Sequence, residues 1–243
     1  MIIFKSINKL KKKVNFKANI GFVPTMGSLH KGHISLIKSS KRKCDKTIVS
    51  IFVNPTQFNK KNDYNTYPRK INADIKILKK FNVDYVLIPT VDDVYRTKNQ
   101  MKISIRNTDK ILCSKYRPGH FEGVLAVISI FLKNIKAKYL FLGKKDFQQI
   151  YIIKKYLGKK FKTKIISCET IRLKNTLPYS SRNKLLSKKN IQKAINISKI
   201  LSNFYNYIKV DFSKIKELKN VKKKISRISP YIEYFEIRNK YNL

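Results

Sequence analysis

Acidic residues are scarce in this 243-residue chain: 14 Asp and Glu stand against 55 Lys and Arg, a formal net charge of +41. A surplus of that size raises RNA or an anionic membrane surface as a partner. The lysines, however, are spread through every segment among many Asn, Ile, Tyr and Phe, with only seven Gly and seven Pro, as an AT-rich coding sequence would produce. They form no dedicated stripe, so no specific nucleic-acid partner is expected, and self-repulsion should make stability salt-sensitive.

Cysteine is equally sparse. Cys44, Cys113 and Cys168 are widely spaced and contain no Cys-x-x-Cys pair, which excludes a disulfide framework and a zinc site and points to a reducing compartment. Long hydrophobic runs are missing too. The longest, Val124 to Leu132, is far too short to span a bilayer, and the N-terminal "MIIFKSINKLKKKV" lacks the pattern of a cleaved signal. A soluble, cytoplasmic protein with no membrane partner is expected.

What remains is a chain that is 42% hydrophobic, enough for a substantial core, in which short β-branched runs alternate with stretches of helical period. Strands are predicted at Ile20 to Val23, Thr47 to Asn54, Val83 to Pro89, Lys138 to Gly143 and Thr163 to Glu169. Helices are predicted at Ile34 to Lys43, Ile71 to Phe81, Phe121 to Lys136 and Asp146 to Leu157, the third apolar nearly all round and hence buried. This order gives an α/β fold, a doubly wound parallel sheet of Rossmann type, over residues 1–170. After Glu169 the texture becomes polar and Lys-rich. A helix from about Ser187 to Ile208 and the strand-like "YIEYFEIRN" then predict a small α+β domain over 171–243.

In such a sheet, ligands bind beyond the carboxyl ends of the strands. The first predicted strand delivers "PTMGSLHKGH". Gly27 and Gly32 bracket four residues as in a phosphate-binding P-loop, but His33-Ile34 stands where that motif needs Lys followed by Ser or Thr. The glycines still admit close backbone approach, and a helix N-terminus still attracts an anion. On that first turn His30 and His33 either bond phosphate oxygens or cap the helix. The second strand ends in "NPTQF", where Asn54 and Gln57 either bind a hydroxyl and a carboxylate or serve turn chemistry around Pro55. "YRPGHFEG" sets Arg117 and His120 ahead of the buried helix, facing the site or capping. "GKKDFQQ" supplies a lysine for phosphate, Asp146 for a metal or a cap, and Gln149 one turn on. "SSRN" adds two hydroxyls and Arg182 in what should be a mobile loop. No nucleophilic triad and no metal cluster is evident, so positioning and charge neutralisation are the expected means of catalysis.

Five blocks, "PTMGSLHKGHISLI", "SIFVNPTQFN", "RPGHFEGV", "FLGKKDFQQ" and "SSRN", occur in order across roughly the first 185 residues. In this the chain closely resembles the pantothenate synthetase (pantoate–beta-alanine ligase) family, part of the Rossmann-like nucleotidylyltransferase group that shares a His-x-Gly-His signature. The resemblance implies a two-step reaction: ATP and pantoate give pantoyl adenylate and pyrophosphate, and β-alanine then displaces AMP, with Mg²⁺ assisting. It implies that Met26, Gly27, Ser28, Leu29, His30, Lys31, Gly32 and His33 hold ATP, with His33 as the usual proton donor and His30 its phosphate-binding neighbour. Gly143, Lys144, Lys145 and Asp146 would also meet ATP, with Lys145 on the phosphates and Mg²⁺ carried mainly by those phosphates. The backbone of Ile171 would meet adenine, and Tyr179, Ser180, Ser181 and Arg182 would close over the triphosphate. Gln57, Gln149 and the adjacent Asn54 would hold pantoate and β-alanine. The family is typically homodimeric.

Three departures stand out. Lys144 replaces a usual glutamate, Thr176-Leu177-Pro178 replaces the usual Gly-Leu-Ala, and the C-terminal domain is shortened, so that 171–243 reads as a reduced lid. Two other readings are another adenylate-forming or nucleotidyl-transferring enzyme of the same group and a basic RNA-binding protein on this scaffold.

Overall fold

The computed structural model describes residues 1–96 and 103–243. They divide into two compact units, Met1–Thr170 and Ile171–Leu243.

The first unit runs β1 (Ile2–Phe4), α1 (Ile7–Lys13), β2 (Ile20–Thr25), α2 (Lys31–Lys43), β3 (Lys46–Ile51), α3 (Lys61–Thr66), α4 (Ile71–Lys80), β4 (Tyr85–Leu87), α5 (Val91–Tyr95), α6 (Cys113–Tyr116), α7 (His120–Ile135), β5 (Tyr139–Gly143), α8 (Phe147–Leu157) and β6 (Lys164–Cys168). The strands form one sheet in the order β1-β4-β3-β2-β5-β6, with every pair parallel. Successive strands move outward from β2 through β3 to β4, then the chain returns to β2's other side for β5 and β6. The order reverses between β2 and β5, which opens a crevice at their carboxyl ends.

Residue alternation explains why helices cover both faces. Phe22, Ile48, Leu87 and Leu140 belong to one core with Leu10 of α1, Leu125 of α7 and Ile153 of α8. Their neighbours Val23, Val49, Val86 and Phe141 belong to a second core with Ile37 of α2 and Leu78 of α4. Both faces of β2, β3, β4 and β5 are apolar, as a buried parallel sheet requires. As expected from its composition, α7 is buried nearly all round, from Phe121 to Ile135.

The predicted strands and helices of this unit are found with shifts of a few residues at their ends. One strand has no forecast in the sequence: β1 lies at the sheet edge, and Ile2 and Ile3 are exposed, so it carries no inside-outside alternation to read. The second unit is built on α9 (Lys188–Val210) and α10 (Leu218–Ile228), with one isolated antiparallel bridge between Arg172 and Pro178. The expected strand at "YIEYFEIRN" is corrected here. Residues 231–239 form neither helix nor strand and pair with no ladder among the described residues. Instead Ile232, Tyr234, Phe235 and Ile237 are partly buried, and Phe235 meets Phe204 of α9 edge-on at 6.5 Å. No helix of the described residues is long and apolar enough to cross a membrane.

Candidate active site

The loop leaving β2 enters α2 through a capping box made of the two histidines. His30 Nδ1 accepts from Gly32 N at 3.2 Å, and His33 Nδ1 accepts from His30 N at 3.3 Å. The rings stack with centroids 4.0 Å apart. Capping and catalysis therefore do not compete. An Nδ1 that accepts a hydrogen bond leaves a neutral ring with its proton on Nε2, so each cap fixes its imidazole as an Nε2–H donor.

His33 is held neutral. Burial, then the neighbouring His30, then the charge of Lys145 push its pKa down to about 3. A neutral Nε2–H donor meets negative charge by hydrogen bonding. The influence of Lys145 also shows that the turn after β5 reaches the histidines. The same shift makes stability pH-dependent. In the unfolded chain His33 takes up its proton near pH 6.5, whereas in the fold it does so only near pH 3. Its contribution is therefore present above pH 6.5 and lost as pH falls toward 3. Urea unfolding at pH 7.5 and 4.5 should show a smaller loss for His33→Asn than for the parent.

Not all of the loop is turned toward a ligand. Ser28 and Leu29 are buried, and their N–H groups donate to Asp74 of α4 at 2.7 Å each. Gly27 has φ +78°, and its N–H donates to Thr25 Oγ1 at 3.1 Å. Met26 is partly accessible and Lys31 exposed.

Beyond β3, Gln57 Nε2 donates to the Met26 sulfur at 2.8 Å, which ties the two loops together. Asn54 is buried and fully engaged. Its Oδ1 accepts from Thr56 N, Thr56 Oγ1 and Tyr95 OH, and its Nδ2 donates to Gln57 Oε1 and Gly123 O. With both amide protons spent within the protein, Asn54 braces the Gln57 side chain. His120 faces this loop: its Nδ1 lies 2.6 Å from Gln57 O. Arg117 is exposed.

β5 ends at Gly143, where an added Cβ would meet nothing within 4 Å. Protein packing therefore does not require a glycine there, and the space beyond it is open. Lys145 pairs with Asp146 at 2.8 Å, and Lys144 pairs with Glu169. Lys144 is thus answered by a carboxylate immediately after β6. Asp146 is exposed, and no group of three His, Cys, Asp or Glu among the described residues could hold a metal. That donor set does not fit a protein-built cation site. Gln149 is partly buried in the first turn of α8, while its neighbour Gln148 clamps Cys113 N and Ile111 O at 3.0 and 2.7 Å.

In the second unit, Tyr179 N donates to Ile171 O at 3.1 Å and Leu173 N to Leu177 O at 2.8 Å. Thr176 takes φ +72°, and its carbonyl accepts from Arg172 Nη1 and from Ser198 Oγ of α9. Ser180 caps a short 3-10 turn, accepting from Arg182 N at 3.3 Å, and Asn183 Nδ2 donates to Pro178 O. "SSRN" thus forms a hydrogen-bonded turn, with Ser181 buried and Arg182 partly accessible.

The Pantoate-beta-alanine ligase family model matches residues 2–243. A pantothenate synthetase of Francisella tularensis subsp. novicida is 43% identical over 237 residues, covering 97% of this chain and 87% of the relative. One from Francisella philomiragia is 47% identical over 206 residues, covering 83% and 79%. The crystal structure of the Francisella tularensis pantoate-beta-alanine ligase complexed with beta-gamma ATP and beta-alanine has a TM-score of 0.86 at 41% identity, over 97% of this chain and 90% of that one. Pantothenate synthetase of Thermus thermophilus has a TM-score of 0.93 at 27% identity, over 100% and 89%. The parallel sheet, its switch-point loops and these likenesses together place the chain in the pantoate–beta-alanine ligase family, and it is a ligase.

Proposed function

We propose that this chain condenses (R)-pantoate with β-alanine at the expense of ATP, giving pantothenate, AMP and pyrophosphate through a pantoyl adenylate. One observation carries the reading: the loops that leave β2 and β5 on either side of the strand-order reversal bring His30, His33 and Lys145 into one electrostatic neighbourhood. ATP lies across these loops, along Met26 to His33 and Gly143 to Asp146. Gln57 and Gln149 hold pantoate, with Asn54 and Met26 setting the Gln57 amide. The pantoate carboxylate oxygen attacks the α-phosphorus and pyrophosphate leaves. The β-alanine amine then attacks the acyl carbon, the C–O bond to AMP breaks, and a proton is released. The Nε2–H groups of His30 and His33 and the Lys145 ammonium meet the growing negative charge, and the rest of the rate comes from alignment.

Residues 1–170 bind ATP and pantoate, and residues 171–243 act as the lid, with the Ile171 backbone at adenine and Tyr179 to Arg182 on the triphosphate. Mg²⁺ enters with the ATP phosphates, which supply the oxygen ligands that the described residues do not gather. The enzyme works in the cytoplasm as a homodimer, which light scattering reads directly.

The purified protein should release AMP only when pantoate, β-alanine, ATP and Mg²⁺ are all present; no AMP from the complete mixture would overturn the reading. Pantoate-dependent exchange of pyrophosphate into ATP separates it from other nucleotidyl transferases. Gly143→Ala gives a second check. Its φ of −84° suits alanine and its surroundings are open, so the melting temperature should hold or rise slightly. The new methyl intrudes on the nucleotide, and KM for ATP should rise about 10-fold, the equivalent of a modest overpacking cost. Unchanged KM would move ATP away from the end of β5.

A further inference from the structure

Asp74 lies in the first turn of α4, far in sequence from the histidine loop, and is 1% exposed. Its Oδ2 accepts from Ser28 N and its Oδ1 from Leu29 N, both at 2.7 Å. The receiving loop has two successive left-handed residues, Gly27 at φ +78° and Ser28 at φ +49°. The consecutive N–H groups of Ser28 and Leu29 face one concavity, and in phosphate-binding loops such a concavity of backbone N–H groups is filled by the ligand. Here the anion filling it is the protein's own carboxylate. The fit is close: a Cβ on Gly27 would sit 3.0 Å from Asp74 Oδ2 and 3.1 Å from the Ile51 side chain. A left-handed serine costs about 1 kcal/mol and persists only where its surroundings over-determine it.

We propose that Asp74 is a positioning residue for adenylation: by occupying the concavity of the Gly27–Ser28 turn, it sets the entry of the chain into α2 and thus the placement of His30 and His33. The inference rests on the ligase reading above. The carboxylate is fixed to α4, α4 packs on the sheet through Leu78, and the loop is tied at its other end through Gly27 N to Thr25 and from Thr25 Oγ1 to Ser50 O at 2.7 Å. The turn is therefore clamped from two strands and a helix before nucleotide arrives. Because the Ser28 and Leu29 N–H groups are spent on Asp74, recognition of phosphate at this loop falls to the side chains of His30 and His33 together with Lys145. That division of labour sets this loop apart from a P-loop, whose backbone does the cradling.

Asp74→Asn in the full chain tests this. The carboxamide has nearly the same shape but presents an NH₂ to one of the two N–H donors, so one bond is replaced by a donor facing a donor. Amide hydrogen exchange at Ser28 and Leu29 should accelerate. In pantoate-dependent pyrophosphate exchange, kcat/KM for ATP should fall at least about 10-fold, the scale expected when reacting groups are misplaced by a fraction of an ångström. KM for β-alanine should stay within about twofold, a split that general loss of stability would not produce. Parent-like amide exchange at both positions overturns the brace, and faster amide exchange with parent-like ATP kinetics overturns the positioning role. If the parent itself forms no adenylate, it is the ligase reading that fails, while amide exchange and ATP affinity still test the brace. Should Asp74→Asn not fold, Asp74→Glu, whose carboxylate stands one methylene farther out, goes through the same measurements. Parent-like ATP kinetics there, together with faster amide exchange, overturn the proposal.

Discussion

Replacing His33 with alanine is expected to slow formation of pantoyl adenylate by about 10²–10³-fold, the usual loss when one donor to developing charge is removed. The ring does two jobs: Nδ1 accepts from His30 N at 3.3 Å and Nε2 carries the proton. Two variants separate them. In His33→Asn the amide oxygen stands near the place of Nδ1 and restores the cap, but nothing reaches the place of Nε2. Stability should return toward the parent while the rate stays low. In His33→Gln the amide nitrogen reaches the Nε2 position, and part of the rate should return. Single-turnover rates for His33→Ala equal to the parent would remove His33 from the chemistry. A loss cured by Asn would reduce it to a helix cap. With the His33 pKa near 3, the parent's adenylation rate should show no acid limb near pH 6.5 from this group.

Gly123→Ala is expected to cost about as much by a different route. A Cβ on Gly123 of α7 would lie 2.2 Å from Thr56 O, 2.5 Å from Thr56 C and 2.7 Å from Gln57 N. All three are backbone atoms, so no side chain can swing aside, and either α7 or the 54–57 turn must move. Asn54 Nδ2 donates to the carbonyl of Gly123 itself, and His120 at the start of the same helix contacts Gln57 O, so the shift carries directly into the substrate amide. Stability should fall by about 3 kcal/mol, the upper end of ordinary overpacking. For a chain of this size that is about 6–12 °C in melting temperature. Where the variant remains folded, kcat/KM for pantoate should drop about 100-fold, as expected for a displacement near 1 Å. Differential scanning calorimetry with initial rates reads both, and a variant within about 1 °C of the parent would show that α7 can back away freely.

Much of the site is legible in residue order. "PTMGSLHKGH" after an apolar run announces a strand, a turn and a helix with two histidines, and those elements form. "NPTQF" and "GKKDFQQ" mark strand ends, since apolar runs stop there at residues suited to turns. Asp74 leaves no such mark. It is one acidic residue in the first turn of an ordinary amphipathic helix, and its bonds reach back 45 and 46 positions. The partners of Asn54 are equally unmarked: an amide at a strand end looks the same in the sequence whatever it meets, here Tyr95 and Gly123. "YIEYFEIRN" is rich in aromatic and β-branched residues as a strand is, but composition fits an extended segment only in general, and a partner edge must come from elsewhere.

Residue order alone dictates the alternation of strand and helix, the two apolar faces of the sheet, the glycines of the loops and the placement of reactive side chains at strand ends. These follow from side-chain period and backbone sterics, which act within a few residues. Other features exist only in the folded molecule: β2 and β5 become neighbours, His30 and His33 cap one another's turn while keeping Nε2–H, burial and Lys145 hold His33 neutral, and Asp74 fills the turn that a phosphate fills in a P-loop. Each of these depends on a distance that the folded chain sets, most of them between groups far apart in sequence, and hydrogen bonds and desolvation take effect only once that distance is fixed.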